Sequence, residues 1–443
     1  MITPREHWGS RLGFILAAAG SAIGLGNIWK FPYLAGQHGG AAFLIVYLAL
    51  SFTIGLSVML CEFLIGRAAR KDPVGAFAKL KGGAWPVVGF LGILAAFVIL
   101  SFYSVVGGWT LAYILKMLSG VLVNGESREF GAIFSNFIEN PIRPLIFHAV
   151  FMVLSIAVVI GGIGHGIERW CKILLPALFV IILILLARSL TLPGAMKGIS
   201  YFLEPDFSKL DAAAFNAALS QAFFSLSIGM GAMITYGSYL ERTTHLPSSA
   251  VWTTSLDTTI AFLSGLVILP AVFAFGFDPN AGPGLTFITL PAVFASMPGG
   301  VIFAPLFFIL LAIAALTSAV SLLEVVVTFL VDEKGFGRKR AAWFSGIVMF
   351  LIGIPASLSL GIWKDYKILG RSFFDLLDYL SANILLPLGG ICIALFVGWF
   401  FSAKALEEAT ANGHHRFPLS GAWMFICKFI APAAIAWILI GGL

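Results

Sequence analysis

Two apolar stretches of this chain are each interrupted by small, flexible residues. The first reads Gly20-Ser21-Ala22-Ile23-Gly24-Leu25-Gly26-Asn27 within 12–35, and the second Phe224-Ser225-Leu226-Ser227-Ile228-Gly229-Met230-Gly231 within 212–240. A helix broken there frees carbonyls at the end of one half and N–H groups at the start of the other, so each break carries both signs of partial charge. Around the first break the carbonyls from Ala22 onward suit a cation, and the N–H groups of Leu25 and Gly26 suit a carboxylate. Glycine at 24 and 26 lets a ligand approach the backbone closely. Two such breaks facing each other would form one site of both polarities, which is the chemistry a zwitterion requires. Lipid cannot satisfy a bare N–H or C=O, so a break at mid-membrane depth needs something to replace the lost hydrogen bonds. In carriers built on broken helices, that role falls to the solute and its coupling ion.

The elements that must position these breaks are membrane helices. Hydrophobic residues make up 59% of the 443 and charged residues only 11%, against about a quarter charged in a soluble domain. Apolar runs of helix-spanning length recur, and the ten-residue alternation of a membrane barrel is missing. The pattern predicts an all-α membrane protein of eleven spans, near 12–35, 40–67, 86–120, 143–161, 167–188, 212–240, 249–276, 299–330, 339–357, 373–402 and 420–441. With the N-terminus in the cytoplasm, the clusters Arg67/Arg70/Lys71, Lys79/Lys81 and Arg338/Lys339/Arg340 fall on the inner side, as the positive-inside bias expects. An odd span number puts the C-terminus outside. The net charge of +6 therefore reads as topology in a lipid bilayer, with no nucleic-acid partner. Cys61, Cys171, Cys392 and Cys427 lie in or beside apolar segments and imply no disulfide framework. The first span is too long for a signal peptide and lacks its small-residue cleavage site.

Spans one to five and six to ten each begin with a broken helix, which predicts a 5+5 inverted repeat with one further helix. The expected units are a first repeat over 1–190, an outer loop over 191–211, a second repeat over 212–402, and a cytoplasmic loop with the eleventh helix over 403–443. The outer connections 121–142 and 189–211 carry scattered charges and prolines. Residues 277–298 read either as a loop dipping into an outer vestibule or as a short interfacial helix.

The motifs add a family. Arg5-Glu6-His7-Trp8 with Arg11-Leu12-Gly13, followed by Gly24-Leu25-Gly26-Asn27-Ile28-Trp29-Lys30-Phe31-Pro32-Tyr33, resembles the opening of the neurotransmitter:sodium symporter family. The second break, Gly166-Ile167-Glu168-Arg169 with Pro176, and Leu316-Thr317-Ser318 are similar to later motifs of that family. The resemblance covers the whole chain and points to its bacterial eleven-helix amino-acid branch. It implies two sodium sites. The first would use the Ala22 carbonyl, the Asn27 side chain, Ser225, the Asp257 carboxylate and one substrate carboxylate oxygen. The second would use the carbonyls of Gly20, Ile23 and Ala314 with the hydroxyls of Thr317 and Ser318. All-oxygen shells suit a hard cation. Taken alone, Thr317 and Ser318 read better as hydroxyls back-bonded to their own helix. Many family members have asparagine at the position of Asp257 and need chloride nearby, so the resemblance leads us to expect an ionised Asp257 beside the first sodium in place of chloride.

Family members that carry biogenic amines have aspartate at the position of Gly24. Glycine there implies a substrate with its own carboxylate, met by the N–H groups of Leu25 and Gly26 and the Tyr103 hydroxyl. Its amine would meet the carbonyls of Ala22, Phe224 and Ser225 and the Ser227 hydroxyl. Ile99, Tyr103, Phe224, Met230, Ser318 and Leu322 would surround the side chain, with no acid or base among them. Met230 replaces a phenylalanine of some relatives and can repack around ligands of several sizes. Hydrophobic L-amino acids, bulky and aromatic ones included, are the expected substrates.

The resemblance also implies gates: Lys30 with Asp378 outside, Arg5 with Asp332 inside beneath Trp8, and Phe224 with Tyr103 as an aromatic lid. The plain alternative for these charges is solvated helix ends. Gly166 and Pro176 mark a segment that either unwinds or simply kinks. Glu62 and Gln221 are expected to hydrogen-bond the unwound sixth segment, and Glu324 to be protonated or paired with Tyr236. The expected activity is sodium-coupled, chloride-independent amino-acid import by alternating access in a bacterial inner membrane. A proton-coupled carrier using Asp257 or Glu324, and a substrate-gated receptor or channel, are the competing readings. No His-Glu-x-x-His run or nucleophile elbow suggests an enzyme.

Overall fold

The computed structural model describes residues 5–120, 130–277, 284–411 and 413–442. Among them there is no β-strand. The first apolar stretch is two helices, α1 (Arg11–Ala22) and α2 (Gly26–Gln37), bent by 56° at the intervening residues. Ser10 starts α1 by accepting a hydrogen bond from the Gly13 N–H, which relieves one of the unpaired donors of a helix start. Helix α3 (Ala41–Ala69) follows, then a short α4 (Pro73–Leu80), α5 (Pro86–Leu118), α6 (Phe130–Ile138), α7 (Arg143–Ile160) and α8 (Gly162–Leu190). After α9 (Ala195–Leu203), the second broken stretch comprises α10 (Ala212–Ser225) and α11 (Ala232–Gly237). The remaining helices are α12 (Leu246–Ala274), α13 (Leu285–Ser296), α14 (Gly300–Asp332), α15 (Arg338–Leu358), α16 (Phe373–Phe400), α17 (Ser402–Ala409) and α18 (Ser420–Gly441).

Nine of the described helices are continuous, long enough and apolar enough to cross a membrane, and α1 with α2 make a tenth when taken as one bent span. The stretch 212–240 is broken too widely to count as one helix, because Ser227, Gly229 and Gly231 all take positive φ (55°, 82° and 72°). Only glycine adopts that region without steric cost. The one non-glycine in the run, Ser227, is held there by a hydrogen bond from its Oγ to the Ser21 carbonyl, at 2.8 Å. The predicted start of the fifth span moves from 167 to 162, because Gly162–Glu168 winds as a π-helix that leads into α8 with Pro176 inside it. That wide turn is neither the open unwinding nor the simple proline kink of the two sequence readings.

Helices α5 and α14 form the most extensive helix pair of the molecule. They run past the two breaks and supply the walls of the space between them. Of the connection 277–298, residues 278–283 lie outside the described residues, and 285–296 is helical. Phe287 there stacks on Phe134 of α6 (5.7 Å) and meets Trp109 and Tyr113 of α5 edge-on (5.5 and 5.1 Å). The described part is thus a helix, but a buried one packed on α5 and α6 and not the amphipathic interfacial helix of the second reading. Of the connection 121–142, residues 121–129 lie outside the described residues.

Candidate functional site

The two breaks face each other across a narrow, tightly lined cavity. Ala22, Gly24, Gly26 and Asn27 line it from the first break, and Phe224, Ser225, Ser227 and Met230 from the second. Ile99 and Tyr103 come from α5, and Ser318 and Leu322 from α14. Leu25 does not line the cavity. Its N–H instead donates to the Tyr103 hydroxyl at 3.1 Å, so two of the expected carboxylate partners hold each other. Ser21 is a lining residue that the sequence reading missed. A serine near a helix end most often bonds its own backbone, and nothing in the sequence marks this one out. A β-carbon on Gly24 would lie 2.9 Å from Ser318 Oγ and 3.0 Å from the Tyr103 hydroxyl.

Beside the cavity is a buried cluster of oxygens. Asn27 Nδ2 donates to Asp257 Oδ1 at 2.7 Å and to Ser225 Oγ at 2.8 Å, while its Oδ1 accepts the Gly24 N–H at 3.1 Å. Ser225 Oγ lies 2.8 and 2.9 Å from the two Asp257 oxygens. Tyr47, absent from the sequence reading, points its hydroxyl at Asp257 Oδ2 from 3.3 Å. The Asp257 carboxylate thus reaches Asn27 and Ser225, which fixes the register of its helix. A carboxylate surrounded only by donors and apolar walls is costly without a positive charge nearby, and a cation seated among these oxygens would supply one.

A second group of oxygens closes around the end of α1. Ser318 Oγ lies 3.1 Å from the Ser21 carbonyl, 3.3 Å from that of Ile23 and 3.4 Å from that of Gly20. Thr317 Oγ1 lies 3.1 Å from the Ala314 carbonyl. The five residues expected of the second sodium site are thereby neighbours. The back-bonding alternative for Thr317 is also visible, in its 3.1 Å approach to the Ile313 carbonyl.

At the end of the bundle where α1 begins, the residues expected to form a gate are in contact. Arg5 Nη1 pairs with Asp332 Oδ2 at 2.5 Å, and its Nη2 donates to Ser238 Oγ at 2.6 Å. Its guanidinium also lies over the Tyr239 ring, 4.8 Å from the centroid. Trp8 is buried beneath, donating from Nε1 to the Tyr236 carbonyl at 3.0 Å. These contacts replace the reading of solvated helix ends. Asp72 joins them: its N–H donates to Asp332 Oδ2 (2.9 Å), and its Oδ1 caps α4 by accepting from Val74 N–H (3.0 Å). Its Oδ2 is buried without a hydrogen-bond partner. Burial, with the Asp332 and Glu333 carboxylates close by, pushes the Asp72 carboxyl up to about 7.

The opposite end is not closed in this way. No ion pair joins Lys30 to Asp378 among the described residues. Both line a second, roomier cavity, together with Phe224, Tyr103 and Trp29. The Lys30 ammonium sits 5.9 Å from the Phe224 ring centroid. Phe224 and Tyr103 line both cavities and so form the partition between them.

Three supporting residues depart from expectation or fill it in. Glu62 does accept the Gly229 N–H of the second break, at 2.7 Å. Gln221 instead donates to the Gly26 carbonyl, at 3.0 Å, and so supports the first break from across the bundle. Glu324 makes its contacts elsewhere than with Tyr236. It holds Arg338 in a two-pronged ion pair (3.1 and 2.6 Å) and accepts the Tyr239 hydroxyl at 2.8 Å.

A sequence model of the sodium:neurotransmitter symporter family matches residues 5–129 and 138–443. A sodium-dependent transporter of Bacillus subtilis is 42% identical over 97% of this chain and 96% of its own length. The bovine sodium-dependent dopamine transporter is 27% identical over 98% of this chain and 68% of its own length. Among solved structures, that of MhsT in complex with L-phenylalanine is 47% identical, covers 99% of this chain and 100% of its own, and superposes with a TM-score of 0.92. Two broken helices around one cavity, an ion-paired cluster at one end and these matches agree: the chain is a multi-pass sodium-dependent membrane transporter, not an enzyme, and it belongs to the sodium:neurotransmitter symporter family.

Proposed function

We propose that the chain imports hydrophobic L-amino acids, bulky and aromatic ones included, together with sodium and without chloride. The observation that carries this reading is the cavity between the breaks, lined by Gly24, which has no side chain to fill it, with no charged side chain except Asp257 nearby. The substrate carboxylate would lie against the first break near Gly26 and Tyr103, once the Leu25 N–H exchanges the tyrosine for it. The ammonium would meet the Ala22, Phe224 and Ser225 carbonyls and Ser227. One sodium would sit among Ala22, Asn27, Ser225, Asp257 and the substrate carboxylate, with Asp257 supplying the negative charge that chloride supplies elsewhere. A second would sit among Gly20, Ile23, Ala314, Thr317 and Ser318. That MhsT was solved with L-phenylalanine supports an aromatic amino acid as ligand.

In this reading 212–240 is a further broken span, giving eleven, with a 5+5 inverted repeat over 1–190 and 212–402, joined by 191–211 and followed by 403–443. The N-terminus lies in the cytoplasm of a bacterium and the C-terminus outside the inner membrane. The Arg5–Asp332 pair is then the inner gate, closed, while Lys30 and Asp378 flank an outer vestibule that remains open. Transport proceeds by exchanging these two conditions. Uptake of labelled leucine, phenylalanine and tryptophan into proteoliposomes tests the proposal. Saturable uptake driven by a sodium gradient at fixed pH, undiminished in gluconate, is expected. Uptake driven by a proton gradient without sodium would overturn it.

Two further outcomes are expected. Met230→Phe puts a stiff ring where a flexible thioether lined the cavity. Competition binding should then lose bulky ligands relative to leucine by about tenfold, the weight of one or two methylenes in a tight pocket; an unchanged profile would count against this role.

The inner gate should respond to pH through Asp72. With the gate shut the carboxyl holds its proton up to about 7; in an open gate, exposed to water, it ionises near 4. The shut state therefore binds the extra proton, and its advantage is lost as pH rises from about 4 to about 7, with no further change above. Arg5, Lys71, Asp332 and Glu333 are the charged groups around Asp72. Thiol labelling of Cys171, buried beside Gly20, should report it in a chain whose other cysteines are replaced. The labelling rate relative to Asp72→Asn should rise between pH 6 and pH 8. A constant ratio would remove Asp72 from the gate.

A further inference from the structure

The floor of the cavity is built from serine hydroxyls whose hydrogens are all committed. Ser227 Oγ donates to the Ser21 carbonyl (2.8 Å), and Ser318 Oγ to the same carbonyl (3.1 Å). Ser321 Oγ donates to the Ser318 carbonyl at 2.8 Å. Ser21 Oγ lies 2.7 Å from Ser321 Oγ and 3.2 Å from Ser227 Oγ, and its hydrogen goes to the nearer one. A hydroxyl has one hydrogen and two lone pairs. With every hydrogen spent on protein acceptors, the floor offers the ligand lone pairs and no donor.

The oxygens that line the cavity are not equivalent. In the reading proposed above, Ser318 Oγ faces the second sodium and Ser227 Oγ faces the ammonium. Ser21 Oγ receives no hydrogen bond from any described residue and has no other ligand group assigned to it. Ser21 lines the same cavity as Met230 and Leu322, the residues that would contact the substrate side chain, with its Oγ 3.2 Å from Ser227 Oγ. From this we infer that Ser21 is a specificity residue: its Oγ accepts a hydrogen bond from a donor on the ring of an aromatic substrate, so that the site favours tryptophan (indole N–H) and tyrosine (phenol O–H) over an isostere lacking the donor. The inference rests on the cavity being an amino-acid site. No proton is transferred, and the bond forms only in the bound state.

The expected size is modest. Ser21 is already engaged with Ser321, so a ligand without the donor leaves a lone pair unused and no buried hydrogen stranded. A neutral hydrogen bond of that kind corresponds to about a 2- to 12-fold difference in affinity. The clean ligand pair is L-tryptophan against L-3-benzothienylalanine, in which sulfur replaces the indole N–H with almost no change of shape. Binding of both to the purified full-length chain, in sodium and in potassium, provides the test. Tryptophan should bind about fivefold more tightly in sodium, and Ser21→Ala should bring the two ligands together. Equal affinity in the unmodified chain would overturn the inference while leaving the amino-acid reading intact, as would a preference that survives Ser21→Ala. Failure of tryptophan, benzothienylalanine and leucine alike to bind in sodium would overturn the amino-acid reading and the inference with it. The unmodified chain decides the first of these outcomes even if the variant does not fold.

Discussion

A chain carrying Gly24→Asp is expected to take up its amino acid at least about 100-fold more slowly than the unmodified chain at equal sodium. Two effects act in the same direction. The added β-carbon would crowd Ser318 Oγ at 2.9 Å and the Tyr103 hydroxyl at 3.0 Å. Both atoms are the polar ends of side chains, on α14 and α5, and must shift by a few tenths of an ångström to admit it. Overpacking of this kind costs about 1–3 kcal/mol. The new carboxylate would also stand where the substrate carboxylate is proposed to lie, and like charges in a water-poor site repel strongly. Gly24→Ala isolates the first effect and should lose about tenfold. Uptake within threefold of normal in the aspartate variant would show that the substrate carboxylate is bound elsewhere.

Asp257→Asn is the second large expectation, and its sign depends on the anion present. The carboxylate is buried and contacts Asn27, Ser225 and Tyr47. Removing one partner of a buried charge pair costs about 3–5 kcal/mol, so sodium-dependent uptake in gluconate should fall by at least about 100-fold. The asparagine keeps the shape of the site and lacks only the charge. Chloride entering beside Tyr47 and Ser225 would restore that charge, and uptake in sodium chloride should recover to within about tenfold of the unmodified chain. Assays of both chains in the two anions decide it. A variant indifferent to chloride, or an unmodified chain that needs it, would separate Asp257 from the charge balance of the site.

The breaks themselves were legible because glycine clusters inside long apolar runs are conspicuous, and because a bilayer tolerates such runs only for a reason. The lining residues on α5 and α14 were not legible from periodicity; Ile99, Tyr103, Ser318 and Leu322 followed from motif resemblance alone. What neither route supplied is pairing between distant segments. The ion pair of Glu324 with Arg338 joins α14 to the start of the next helix, and arginine at a helix end reads in sequence as a topology signal. Gln221 supports Gly26 from 195 positions away, where its own helix suggested a local role. Ser21 and Tyr47 were missed because a single hydroxyl in an apolar run has a local explanation that costs nothing. The π-turn at Gly162–Glu168 differs from an ordinary helix by one residue per turn, too little to disturb the hydropathy pattern.

The inner gate has a consequence for how the molecule is made. Arg5 and Asp332 are 327 positions apart, and the hydroxyls of Ser21 and Ser321 are separated by 300. At about 5–20 residues per second of synthesis, the first helix waits on the order of 15–60 seconds before the partners that satisfy it exist. During that time Ser21 and Asn27, with the loose backbone between them, sit in or beside the bilayer with their final hydrogen bonds unmade. The same weak point that is proposed to admit sodium and substrate is thus a hazard in the nascent chain. Whatever shelters the first helix in that interval, be it the insertion machinery or α3 folding back upon it, is as necessary to the transporter as the gate it eventually closes.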